Sequence, residues 1–150
     1  MRQVTDADLK FFWAAYKDGT WSDLIYGGLD PASFTEAMTD MMGAVGFDWV
    51  LEVGGKPIGL VLGRTLAAGR VLEPQVDWMP WATMRNKMEG IAVFLREVGK
   101  LFKIFVFATE ADKPFYERFC RYRLLRRGCI VTKHFGPDAH GYFFYTPGPD

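Results

Sequence analysis

Cysteine is scarce in this 150-residue chain: Cys120 and Cys129 are the only two. Two unclustered thiols build no disulfide framework and fit a reducing compartment. A charge bias is also lacking. Eighteen Lys and Arg balance eighteen Asp and Glu, so the formal net charge is zero. No global field then draws the chain to nucleic acid or to an anionic membrane. Histidine occurs twice, at His134 and His140, on either side of a Gly-Pro-Asp turn. Two imidazoles without a third ligand are poor grounds for zinc, and no metal is expected. No run of about 18 apolar residues could span a membrane, and "MRQVTDADLK" has no apolar secretory segment. A soluble, cytoplasmic protein is the expectation, with no membrane partner and nucleic acid a poor fit.

No repeat, low-complexity tract or Pro/Gly/Ser linker divides the sequence. That predicts one domain over 1–150, large enough to bury a core unaided. Aromatics are what the chain has in excess, at 16% with 13 Phe. They favour a core of large side chains, or an aromatic surface covered by a protein partner.

The apolar periodicity predicts elements in the order α-α-β-β-β-α-β-α-β-β, a mixed α/β chain. Thr5 caps a first helix with Asp8 three residues on, and Leu9, Phe12, Trp13 and Tyr16 recur at helical spacing before Gly19. Asp30-Pro31 opens a second helix striped by Phe34, Met38, Met41 and Met42. "WVLEVGGKPIGLVLGRTL" reads as a hairpin turning at Gly54-Gly55. "RVLEPQVDWMPWA" is a strand roughened by Pro74 and Pro80. The strongest helix follows: Met84, Met88, Ile91, Leu95 and Val98 step by 4, 3, 4 and 3, ending at Gly99. "LFKIFVFAT" is a short strand apolar on both faces. A last helix opens at Asp112 with Pro114, "KPFYERFCRYRLLRRG", and should end near Gly128 with arginines on its dipole's negative end. "CIVTKHF" and "GYFFYT" close the chain as a hairpin with a longer loop, "GPDAH".

This order, with "LEVGGKPIGLVLG", "KMEGIA" and "PFYERFCRYRLLRRG" in sequence, resembles the GCN5-related N-acetyltransferase (GNAT) superfamily over almost the whole chain. The resemblance is to a divergent member, with a phage-like variant in view. It implies a GNAT-like mixed sheet with a V-shaped cleft between central strands. It implies acetyl-CoA as donor and direct attack by a primary amine, carried by a small molecule or a protein. "KMEGIA" is similar to the family's pyrophosphate motif, which implies Lys87, Gly90 and Ala92 at the cofactor. Tyr116 stands where the family's general acid would stand.

For the base, strand alternation puts Glu73, Gln75 and Asp77 on one face, so Glu73 or Asp77 could accept a proton. Glu52 is a weaker candidate. Two readings stand at Lys87–Gly90. A loop would cradle phosphate on its N–H groups, whereas a helix starting at Met84 behind Thr83 would already have wound those groups. Met88 adds bulk there, and Pro80 removes a donor nearby. A non-catalytic GNAT-fold binding or structural protein, such as a virion or assembly component, is therefore the alternative. The cationic run Arg118, Arg121, Arg123, Arg126, Arg127 and Lys133 could meet a CoA phosphate, an acidic partner or nucleic acid, though most such runs are a solvated helix face and the neutral total charge argues against a dedicated nucleic-acid binder. "YFFYT" at a sheet edge could pair into a homodimer.

Overall fold

The computed structural model describes residues 1–20, 48–66 and 69–148. The helix expected at Asp30-Pro31 lies outside them. The chain divides into two compact units, Met1–Arg64 with Gln75–Gly90, and Thr65–Pro74 with Ile91–Asp150.

The first unit holds β1 (Arg2–Gln3), α1 (Asp6–Lys17), β2 (Asp48–Val53) and most of β3 (Lys56–Leu66). It also takes the end of β4 (Val71–Trp78) and the start of α2 (Met84–Val98). Helix α1 begins where Thr5 and Asp8 predicted. The Asp8 carboxylate accepts from the Thr5 N–H at 2.8 Å and the Thr5 hydroxyl at 2.7 Å. The Arg2 guanidinium donates to both of its oxygens, at 2.6 and 2.7 Å. Arg2 reaches it from β1, a two-residue strand antiparallel to β2 that the sequence did not announce. Phe12 is fully buried among Ala15, Val50, Leu60, Leu62 and Met79. The β2–β3 hairpin turns at Gly54-Gly55 as expected, both with positive φ, 58° and 77°.

The second unit holds the start of β4, the rest of α2, β5 (Lys103–Ala108), α3 (Lys113–Arg121), β6 (Arg126–Gly136) and β7 (Ala139–Tyr145). β5 is parallel to β4 and antiparallel to β7, and β6 is antiparallel to β7. The strand order is β1-β2-β3-β4-β5-β7-β6, with β4 shared by both units. Two hydrogen bonds tie the C-terminal end to β5: Thr146 N–H to the Ile104 carbonyl and Ile104 N–H to the Thr146 hydroxyl, both 3.0 Å.

Three expectations need correction in this unit. Helix α3 ends at Arg121, not near Gly128. Arg123 takes a left-handed φ of 57°, the Leu124 and Leu125 N–H groups turn back to the Phe119 carbonyl, and Leu125 is buried. Arg126 and Arg127 instead open β6, because pairing with Tyr145 and Phe144 outweighs arginine's helix preference. The closing hairpin is tight, since Gly136 pairs with Ala139 across Pro137-Asp138. "YFFYT" is not at an edge: β7 lies between β5 and β6, so the outer strand is β6.

Candidate active site

β4 leads into the region from which the family resemblance would build its donor site. Its parallel ladder with β5 runs through Val71↔Lys103 and Leu72↔Ile104. Two residues on stands Pro74, which has no N–H to extend a ladder. Glu73 is half-buried and Asp77 is buried, and each already has a partner. Of the three polar residues predicted to share a face, only Gln75 is exposed. Glu52 on β2 binds Arg2 at 3.1 Å.

The β4–α2 junction is held tightly within the first unit. Met79 N–H donates to the Ile58 carbonyl at 2.9 Å, and Ala82 N–H closes a turn onto Met79. The Trp81 indole N–H reaches the Pro57 carbonyl at 2.8 Å, with the Lys56 ammonium 4.1 Å from the ring centre. Trp78 lies over β3, where a Cβ on Gly59 would come within 2.8 Å of its ring. Pro80, between the two tryptophans, is exposed.

Helix α2 then starts at Met84. Thr83 and Asn86 cap it reciprocally. Asn86 N–H donates to the Thr83 hydroxyl at 3.1 Å, and Thr83 N–H to the Asn86 side-chain oxygen at 3.4 Å. Lys87 N–H donates to the Thr83 carbonyl at 2.9 Å, the first bond of the helical ladder. Lys87, Gly90 and Ala92 are therefore wound into the helix. A Cβ at Gly90 would sit 3.3 Å from Leu51 Cδ1 and 3.8 Å from Ile58 Cδ1, so the glycine lets α2 lie close on β2 and β3. Ala92 is half-buried. Of the three, only Lys87 keeps a free-reaching donor, its ammonium, 5.6 Å from the Trp78 ring centre. The N–H groups without an intrahelical acceptor are those of the first turn, at Met84 and Arg85.

Tyr116 belongs to the second unit. Asp112 precedes α3 and accepts the Thr109 hydroxyl at 3.0 Å, and Pro114 fits the first helical turn. The Tyr116 ring packs near Phe115, Phe119 and Phe144, at 5.2, 6.5 and 5.9 Å between centres. Its hydroxyl makes no hydrogen bond among the described residues. Burial, with a smaller push from the Asp112 charge, raises its pKa well above that of an ordinary phenol. It therefore stays protonated at neutral pH.

Sequence reasoning missed Asp48, the first residue of β2. Its side chain is buried; Oδ1 accepts from the Gly63 N–H at 3.2 Å, and Oδ2 has no hydrogen-bond partner among the described residues. Desolvation raises its pKa. Only its place at the head of "DWVLEV", one residue before the buried run, could have hinted at this. His140 Nδ1 accepts the Lys133 N–H at 3.2 Å, while His134 stacks on Phe107. Cys120 is half-buried and Cys129 exposed, both as free thiols.

No family model matches the sequence, and no curated protein matches it. Solved structures do match. An acetyltransferase of the GNAT family from Bacillus anthracis superposes with a TM-score of 0.70 at 15% identity, over 96% of this chain and 91% of that one. The chain has the GNAT fold. A spermidine N-acetyltransferase SpeG chimera from Vibrio cholerae and hSSAT gives a TM-score of 0.76 at 16% identity, covering 97% and 93%. A Salmonella typhimurium acetyltransferase, yncA, solved with its cofactor acetyl-CoA, gives 0.66 at 14% identity, covering 99% and 96%. Among the described residues of this GNAT-fold chain, no helix is long and apolar enough to cross a membrane.

Proposed function

We propose that this protein is an acyl-CoA-dependent N-acyltransferase that moves an acetyl group to a primary amine by direct attack. The observation carrying this reading is the GNAT fold along essentially the whole chain, shared with a structure solved with acetyl-CoA. When bound, acetyl-CoA supplies an activated thioester. In this reading Glu73 or Asp77 takes a proton from the acceptor ammonium, directly or through water, freeing its lone pair. The new C–N bond forms as the C–S bond breaks, and the Tyr116 phenol gives its proton to the departing thiolate. The donor's diphosphate fits the first turn of α2 rather than Lys87–Ala92. Met84 and Arg85 offer N–H groups there, the helix dipole favours anions, and the Lys87 ammonium adds charge. Gly90 and Ala92 then act through packing.

A second reading, a non-catalytic binding or structural protein, draws support from the same junction. The Thr83–Asn86 cap already uses two of the donors at the helix start, and Pro80 offers none. Calorimetric titration with acetyl-CoA, beside release of free thiol over a panel of small and peptidyl amines, decides between them. Binding abolished by Lys87→Ala, with thiol release on one amine class, supports the enzyme. No heat at millimolar CoA on folded protein leaves the second reading.

A further inference from the structure

The chain is neutral overall, but its last three strands are not. β5, β6 and β7 contain Lys103, Arg126, Arg127 and Lys133 and not one Asp or Glu. Their pairing sorts these residues by side. Directly opposed residues share a face, and alternate residues on one strand return to it. Phe105 opposes Tyr145, Arg126 also opposes Tyr145, and Phe107 opposes Phe143. Lys103, Phe105, Phe107, Phe143, Tyr145 and Arg126 therefore line one face. Helix α3 lies against the other, where Tyr116 meets Phe144.

This face is paved with rings, each of them half-buried. Phe143 lies 4.8 Å from Phe105, 5.2 Å from Phe107 and 6.0 Å from Tyr145, between centres. His134 stacks on Phe107 at 4.4 Å and 18°. Two glycines make the paving possible. A Cβ on Gly128 would fall 1.9 Å from the Phe143 ring, and one on Gly141 would fall 2.8 Å from His134 Cβ. All ring contacts of Phe105, Phe107, Phe143 and Tyr145 among the described residues are with one another or with His134. Lys103, Arg126 and His134, at the rim, are exposed. The nearest acid on this side by register is Glu73, one strand beyond β5, and it is already engaged.

We propose that this face is a docking platform for single-stranded nucleic acid, with unpaired bases against the rings and phosphates at Lys103 and Arg126. Aromatic rings on an open sheet accept any base by its π-face, and a cationic rim follows the backbone. A second copy of the chain is the poorer occupant, because a symmetric pairing would set the same cations, which no acid among the described residues neutralises, against each other.

The test is fluorescence anisotropy with a labelled oligo(dT) of about 12 nucleotides. Binding should weaken roughly sevenfold between about 50 and about 200 mM salt, as two phosphate contacts on a single strand require. The double variant Lys103→Glu with Arg126→Glu should lose it. His134→Ala, at an exposed position, should weaken it roughly tenfold through lost stacking. Arg118→Glu, on α3, should leave it unchanged. No binding at low salt overturns the proposal, as does equal loss in the Arg118 variant. A duplex or a poly-glutamate peptide that binds as well as oligo(dT) overturns it too, since neither offers bases to stack. A dimer in sedimentation that Arg126→Glu dissolves would assign the face to a second copy.

Discussion

The backbone N–H of Lys87 donates to the carbonyl of Thr83 at 2.9 Å, so the helix is already closed where a phosphate loop was one expectation. Two consequences are measurable. Thr83→Ala removes the hydroxyl that accepts Asn86 N–H and should cost about 1 kcal/mol in urea unfolding. Gly90→Val forces bulk against Leu51 and Ile58 and should cost about 1–3 kcal/mol. If Gly90→Val folds as stably as the parent, Gly90 is not the packing residue described.

Arg2 and Asp8 give stability a pH window. The Arg2 hydrogen bonds, then the Thr5 donors, hold Asp8 at about 2 instead of 3.8, against its desolvation. The folded value lies below the unfolded one, so this stabilisation is complete above about pH 4 and drains as pH falls toward 2. Arg2 is over a third exposed, so solvent screening discounts the contribution to about 1–2 kcal/mol. Asp8→Asn should flatten the stability profile between pH 4 and 2 and lower stability at pH 7. A variant that follows the parent's acid limb would remove Asp8 as its source.

How far the sequence carried depended on whether local pattern decided the outcome. Met84–Val98 and the Gly54-Gly55 turn were legible because spacing and glycine chemistry are local. Arg126–Arg127 were not, since tertiary pairing with β7 overrode their helix preference. β1 is too short to carry a pattern, and only the fold brings it beside β2. The candidate site was half legible. Tyr116 and the β4 carboxylates could be named from position. Proposing the first turn of α2 as the place for an anion required the observed helix start. The basic aromatic face needed the strand order β5-β7-β6, which no local pattern encodes.

Tyr116 separates chemistry from stability. Its hydroxyl has no hydrogen-bond partner among the described residues, so Tyr116→Phe should unfold within about 0.5 kcal/mol of the parent. If the phenol protonates the thiolate, turnover on the amine found by the thiol-release screen should fall roughly 100-fold. Acetyl-CoA binding should be nearly unchanged, because only the transition state is affected. Unchanged turnover in the variant would remove Tyr116 from the acid role while leaving the fold untouched.

Asp48 predicts the opposite pH behaviour to Asp8. Its Oδ2 is buried without a hydrogen-bond partner among the described residues, and desolvation raises its pKa above the unfolded value. A raised carboxyl means the folded state favours the proton. Its contribution is thus most favourable below the unfolded value of 3.8 and is lost as pH rises through the folded value. At neutral pH the carboxylate is either charged in an apolar setting or protonated at a cost, and both weaken the fold. Asp48→Asn keeps an oxygen for the Gly63 N–H and removes the charge. It should raise the unfolding midpoint at pH 8, and the gain should shrink as the pH approaches 4. A variant less stable than the parent at pH 8 would mean that the charge itself is needed, and would direct attention to a cation bound at the head of β2.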